Sequence, residues 1–408
     1  MAEIKGMKYI TQDPLLGFGS VGEGMSLQAC SDGRRILWLA HEGPPKNFTG
    51  VDVTDPRKPR VIIQTDLPHQ NMRSNSLEVT GDIMAVAYQT YSMGERNAGI
   101  ELFDVSKPES PRSISFFDCT GTHSRGVHCL WYVDGEFIHC ASGAADFQPR
   151  HPRDDQFYRI IDVRNPAKPE EAGRWWLPGT REGDTEPPPK RLNPEPLGTP
   201  NGKDAFRAHN TNVYPDRPDR CYIGYIDGGA ITLDISDKAH PKVVAIWNPN
   251  PPYPGFTHTS MPLVDRDLLI VSAESVQPDA RDWPKLTFVL DNREETNPIS
   301  ISTLPLPPVE EYRHRGGRYG SHNLHENRPG PSYRSDTIVF GTFFNGGVRA
   351  YDTTDPFRPE EVAYFVPDAS EGSRVPATQI NDVYVDENGI VYAAERLTGG
   401  IHILELDI

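Results

Sequence analysis

One phrase recurs along the chain about every 50 to 70 residues: an apolar pair, an Asp and a turn closed by Pro. It reads Gly50-Val51-Asp52 with Asp55-Pro56 and Pro59, Leu102-Phe103-Asp104 with Pro108 and Pro111, and Ile160-Ile161-Asp162 with Pro166 and Pro169. It continues as Thr232-Leu233-Asp234 with Pro241, Val289-Leu290-Asp291 with Pro298, and Ala350-Tyr351-Asp352 with Pro356 and Pro359. A seventh copy, Ile403-Leu404-Glu405, carries Glu in the Asp slot. Self-similarity at this period means one supersecondary unit stacked repeatedly, each copy burying its faces against its neighbours.

Each phrase is the third of four short segments rich in β-branched and aromatic residues. In the fourth unit these are Asn212–Tyr214, Cys221–Ile226, Ala230–Ile235 and Pro241–Trp247, with Gly, Pro and Asp between them. Such segments are antiparallel strands, and no long run places apolar residues at helical spacing. Four strands per unit describe a β-propeller blade. Seven phrases therefore predict an all-β, seven-bladed β-propeller, with residues 1–408 as a single domain. The last blade runs out of chain after its third strand. Met7–Asp13, which looks like the fourth strand Arg60–Asp66, is expected to complete that blade and close the ring, covering sheet edges.

The repeated phrase resembles the LVIVD repeat, a family of bacterial and archaeal β-propellers, over nearly the whole chain. The resemblance implies the fold and leaves the activity open, because propellers host binding proteins, hydrolases, lyases and oxygenases. The Asp of each phrase is read as an organiser of its own turn rather than a ring of site acids.

The net charge of −16 and pI near 5.3 argue against nucleic acid and anionic membrane as partners. No apolar run approaches the roughly 20 residues of a membrane span, and the start lacks a signal-peptide core. Five cysteines without CxxC spacing read as reduced thiols, so a cytoplasmic location is expected. The Pro-rich insertion Gly179–Phe206, between blades three and four, is expected to lid one face or to meet a neighbouring subunit of a homo-oligomer. A second excursion, Pro307–Gly320, is dense in Arg.

The histidines form a column. His209, His258 and His322 stand just ahead of the innermost strands of blades four, five and six, and His128 does so in blade three, slightly out of register. His69 lies a few residues further upstream in blade two, and Gln379 takes the slot in blade seven, with Asp382 three residues on. Innermost strands line the axis, so these side chains are expected to converge. Imidazoles so arranged suit iron, zinc, manganese or copper. The arrangement alone, without a sequence match, resembles the carotenoid cleavage oxygenases, propellers that hold iron with four His from separate blades.

The expected metal ligands are His209, His258, His322 and His69, for a divalent ion such as iron, zinc or manganese. The expected catalytic residues are His128, His209 and His322, with Arg125 and Arg207 for the substrate. Glu42, Glu274 and Glu395 end or follow second strands and are expected to orient imidazoles. Arg73, Arg125, Arg207 and Arg374 each precede an innermost strand, which suggests an anionic small molecule. His41, His139, His151, His240, His314 and His402 default to structure or solvent. Nucleophile-elbow, Walker, dinucleotide and HExxH motifs are missing. The expected function is metal-dependent lyase or hydrolase chemistry on a small anionic or phenolic metabolite. An iron-dependent oxygenase and a non-catalytic binding or scaffold propeller are the alternatives.

Overall fold

The computed structural model describes residues 2–191 and 205–408. Seven four-stranded sheets, paired antiparallel throughout, form a seven-bladed β-propeller. The innermost strands of blades one to five are Val21–Ala29, Met72–Thr80, Val127–Trp131, Thr211–Tyr214 and Thr257–Leu263. That of blade seven is Ile380–Val385. In blade six the axial segment is irregular: His322 N–H donates to Thr342 O, Thr342 N–H to Asn323 O and His325 N–H to Phe340 O, at 3.0 ± 0.1 Å.

Burial follows position in the blade. The second strand of blade one, Arg35–His41, is buried from Ile36 onward because neighbouring blades cover both its faces, whereas the outer strand Arg60–Asp66 is half-exposed. Between blades one and two, Trp38 and Phe48 pack with Met84, Tyr88 and Phe103, and the Phe48 and Phe103 rings meet edge to face at 5.3 Å. Each such side chain contributes about 1.5–3 kcal/mol on burial.

The repeated Asp does local work. Asp52, Asp104, Asp162, Asp234, Asp291 and Asp352 each accept the backbone N–H two residues on, at 2.7–3.1 Å. These are Asx turns on the outside of the ring.

The N-terminus clasps two blades. Met7–Asp13 pairs antiparallel with Ile401–Leu406 as the outer strand of blade seven, and Glu3–Lys5 adds to Glu360–Val366 at the outer edge of blade six. Gly6 makes the corner between them at φ +61°, where a Cβ would lie 2.6 Å from Val362 O. Only glycine fits such a corner without strain. The Arg-dense excursion locks this clasp: Arg315 Nη1 lies 2.7 Å from Glu3 Oε1, and the Tyr312 hydroxyl donates to the same carboxylate.

Of the Pro-rich insertion, residues 192–204 lie outside the described residues. The flank before them folds back on blade three. Arg150 donates to Glu186 O at 2.8 Å, Trp176 Nε1 reaches Asp184 at 3.2 Å, and Arg191 Nη2 reaches Asp154 Oδ2 at 2.5 Å.

Candidate metal centre in the central channel

Each innermost strand is interrupted at its start by a β-bulge, and the bulge chooses which side chain faces the axis. In blades three, five and seven one extra residue sits between paired neighbours: His128 between Val127 and Cys129, His258 between Thr257 and Thr259, Asn381 between Ile380 and Asp382. Blade four opposes His209 and Asn210 to Gly224, and blade six opposes His322 and Asn323 to Thr342. Blade two carries its bulge between Arg73 and Ser76, around Asn75, and blade one a wider one between Val21 and Met25, around Glu23. Bulges re-aim side chains in this way at functional rims. Glycines allow the crowding: a Cβ on Gly224 would lie 1.8 Å from His258 O, and one on Gly24 2.3 Å from Leu77 N.

Four imidazoles and a carboxylate meet as a result. His128 Nε2 lies 2.7 Å from His209 Nε2, and the rings of His209, His258 and His322 follow in sequence, with centroids 3.9 and 4.6 Å apart. The Glu23 carboxylate sits 3.8, 3.7, 3.7 and 3.5 Å from the Nε2 atoms of His128, His209, His258 and His322. Glu274 approaches His322 Nε2 at 3.6 Å and groups with His209 and His258. With metal–nitrogen bonds of about 2.1 Å, ligand atoms sit about 3.0–3.4 Å apart. The donors fall into three overlapping triads, Glu23 with His258 and His322, Glu23 with His128 and His209, and His209 with His258 and Glu274, each with its ligand atoms within 4.8 Å of one another.

The other ring nitrogens say which way the lone pairs point. Nδ1 of His128 meets Gln89 Oε1 at 3.0 Å, that of His209 meets Asn210 Oδ1 at 2.8 Å, and that of His322 meets Asn381 O at 2.7 Å. Gln89 Oε1 also accepts from Arg73, and Asn210 donates its Nδ2 to Glu326, which fixes both amides with oxygen toward imidazole. An acceptor oxygen makes Nδ1 the donor in His209 and His322 and leaves Nε2 a bare lone pair. Nδ1 of His128 also faces the Arg73 Nη2 donor, at 3.3 Å. Accepting there places the His128 proton on Nε2, toward His209, whereas without that proton the 2.7 Å contact needs a cation between the two nitrogens. Nε2 of His258 and of His322 are buried with no hydrogen-bond partner among the described residues. Two buried histidines off the axis behave differently. His41 and His325 each have both nitrogens hydrogen-bonded, as packing residues should.

Electrostatics favour the same protonation states. Burial, then the neighbouring imidazoles, hold His128 well below the usual range and His209 down to about 3. Burial opposes ionisation of Glu23, but His209, His258 and His322 outweigh it and keep its carboxyl well below the usual range. Glu274 is likewise drawn to about 2, burial being overcome by His322 and Arg318. His258 runs the other way, because the two carboxylates outweigh its burial. Neutral imidazole beside ionised carboxylate is the form that ligates metal.

An arginine rim lies above the cluster. Arg125 forks onto Asp155 at 2.7 and 3.0 Å, with Arg207 at 3.9 Å from the same carboxylate. Arg73 and Arg396 share Glu42 Oε1 at 2.7 and 2.6 Å, and Arg318 reaches Glu274 at 2.8 Å. Five guanidiniums thus face three carboxylates. Burial and then the surrounding guanidiniums pull Arg207 down to about 10. Arg207 Nε and Arg396 Nη1 are buried without a hydrogen-bond partner among the described residues.

Arg328 crosses the far end of the channel. Arg328 donates to Met25 O at 2.8 Å and to Glu326 Oε2 at 2.7 Å, pairs with Glu78, and lies over the Trp131 and Tyr384 rings at 5.2 and 5.6 Å. Glu326 takes Asn210 and Asn212 at 2.7 and 3.0 Å. One side chain thus spans blades one, two, three and seven, and its neighbour reaches blade four.

The structure brings together His128, His209, His258 and His322, with Arg125 and Arg207 at the rim. His69 is not with them. It lies at the surface, its Nε2 3.1 Å from Arg96 O, and Asn75 takes the axial slot of blade two, donating to Glu23 at 3.3 Å. Gln379 does not hold the slot of blade seven, which belongs to Asn381; it accepts Arg318 N–H instead, at 2.8 Å. Of the acids expected to orient imidazoles only Glu274 reaches them. Glu42 serves the rim, and Glu395 accepts the backbone N–H groups of Gln379, Leu397, Thr398 and Gly399. Arg374 is exposed. Glu23, Arg318 and Arg396 are additions. Glu23 stands in the same slot as the histidines, between Gly22 and Gly24, and superposing the seven strand starts in the sequence would find it.

The sequence matches no protein-family model and no curated protein. Among solved structures the chain is similar to Raptor of Chaetomium thermophilum, at 9% identity and a TM-score of 0.61, over 99% of this chain and 30% of that one. It is also similar to the β-propeller domain of Cps50 (Swd1) of Myceliophteria thermophila, at 14% identity and a TM-score of 0.55, over 98% of this chain and 99% of that one. The chain thus spans less than a third of the Raptor chain it matches. Both likenesses concern the fold.

Proposed function

We propose that the chain is an enzyme whose active site is the channel cluster. His128, His209, His258, His322 and Glu23 would hold a divalent ion of iron, zinc or manganese. Arg125, Arg207 and Arg396 would receive a small anionic or phenolic substrate. The observation that carries this reading is the convergence of four buried Nε2 atoms whose opposite nitrogens are already engaged. A bound divalent ion supplies a Lewis acid for a substrate oxygen. The protein's own part begins at the rim, where guanidinium forks fix the anionic end. Gln89, Asn210 and the Asn381 carbonyl hold three rings in one orientation. Glu274, ionised and beside His322, is placed to move a proton.

Lyase or hydrolase chemistry is the leading reaction class. The set of four imidazoles favours iron-dependent oxygenation as the second reading. The full burial of the imidazoles favours a third, a non-catalytic binding or scaffold propeller. The unpaired state of all five cysteines supports a cytoplasmic, reducing location. No helix among the described residues is long and apolar enough to cross a membrane. Metal analysis of the purified protein and of His→Ala variants tests the reading: stoichiometric metal lost with any one imidazole supports it, and a metal-free protein indifferent to all four substitutions leaves only the scaffold.

A further inference from the structure

A second cavity, of about 800 Å³, lies under the N-terminal clasp, far from the axis. Its walls come from both clasp strands (Ile4, Tyr9, Gln12) and from the two blades they join (Phe365, His402), with Asp368 to Glu371 along one side. Three features distinguish it from an accidental gap. Tyr9 and Ile4, at 51% and 42% exposure, put two large apolar groups on its wall. The Tyr9 and Phe365 rings stack at 5.7 Å, and His402 meets Phe365 edge-on at 5.4 Å, which makes one continuous aromatic wall. Above all, His402 is 4% exposed, and both of its ring nitrogens lack a hydrogen-bond partner among the described residues. A buried imidazole with one donor and one acceptor left open is costly. A ligand that supplies both partners removes that cost.

We infer that this cavity is a second small-molecule site, for a flat aromatic nitrogen compound that is neutral or cationic. The aromatic wall sets the flat shape. The orphaned imidazole asks for a hydrogen-bonding ring or amine. Among the described residues the lining carries the Glu371 carboxylate and no lysine or arginine, the reverse of the arginine rim on the channel. Burial lowers His402 to about 4, so it offers no positive charge to an anion at neutral pH. The volume suits a drug-sized molecule. Because the walls belong to the clasp strands and to the blades they close, a bound molecule tightens the ring and raises the melting temperature with concentration.

The test uses the full-length protein with indole, tryptamine and indole-3-acetate, followed by thermal melts and calorimetry. Indole and tryptamine are expected to bind and to raise the melting temperature, with indole-3-acetate weakest. His402→Leu should melt higher than wild type without ligand, since two unsatisfied nitrogens are gone, yet bind the amine at least about tenfold more weakly. Tyr9→Ala, an exposed position that leaves the fold intact, should weaken binding without that stabilisation. No concentration-dependent shift with any of the three up to millimolar levels would overturn the inference. So would undiminished affinity in both variants, or tightest binding of the acetate.

Discussion

Removing a single channel imidazole distinguishes a metal ligand from a packing residue, and His258 is the most informative choice. It is fully buried, its Nδ1 lies 2.8 Å from Thr259 Oγ1, and its Nε2 has no partner among the described residues. His258→Ala deletes one hydrogen bond, about 1 kcal/mol. It leaves a void on the order of 60–70 Å³, which at about 24 cal/mol per Å³ costs about 1.5 kcal/mol. Loss of the orphaned nitrogen returns about 1–3 kcal/mol, so the metal-free protein changes by about 2 kcal/mol or less. Metal acts on a larger scale. At a concentration 1,000-fold above Kd it stabilises the folded state by about 4.1 kcal/mol. An unfolding entropy of about 2.1 cal/mol/K per residue over 408 residues makes that about 5 °C in Tm. Elemental analysis and melts with and without chelator read both quantities. Wild type should hold one ion per chain and lose about 5 °C on chelation. The variant should hold none, ignore the chelator, and melt within about 2–3 °C of chelated wild type. Wild-type protein grown with iron, zinc and manganese that carries no stoichiometric ion, and whose melt ignores added metal, would refute the assignment.

Deleting residues 1–13 removes the outer strands from blades six and seven, so the truncated chain should aggregate or melt far lower; an unchanged melt would show that the clasp is dispensable. Replacing residues 192–204 with a short Gly-Ser linker spares the flank bonded to blade three and the buried Phe206. It should therefore preserve the melt but alter oligomeric mass or ligand binding, and a linker protein identical in both would make that segment a passive loop. Burial, reinforced by Glu326, pushes the Asp382 carboxyl up to about 8 against the pull of Arg328. The folded chain therefore keeps a proton that the unfolded chain, with an Asp near 3.8, has lost. Stability falls as pH rises through the window from about 4 to 8, by up to about 1.4 kcal/mol per unit. Urea unfolding at pH 5 and pH 8.5 should show the advantage of Asp382→Asn over wild type growing with pH, and a constant difference would count against the raised value.

The propeller is legible in the sequence because its period survives in the most local of structures, an Asp folding its own turn. Four of the channel histidines are legible for a related reason, as they fall just ahead of recognisable strands. The bulges are not legible. The one extra residue between Arg73 and Ser76 sets Asn75 in the axial slot of blade two, whereas His69, well upstream of that bulge, joins the column only by loose proximity in the sequence. Glu23 escapes notice because its slot holds a different residue type, although its position is equivalent. Arg318 and Arg396 come from an excursion and a strand end that no spacing relates to the rim. The ring brings them there, so only the folded chain shows five guanidiniums over three acids.

Arg328 ties the far ends of four blades into one knot, through the Met25 carbonyl, Glu78, and the Trp131 and Tyr384 rings. If the proposed site takes an anion, that knot would leave the arginine rim as the way both in and out. A product that kept the negative charge of its precursor would then be held back at the rim. One that had shed charge would depart more easily, so release would favour conversions that neutralise the anion.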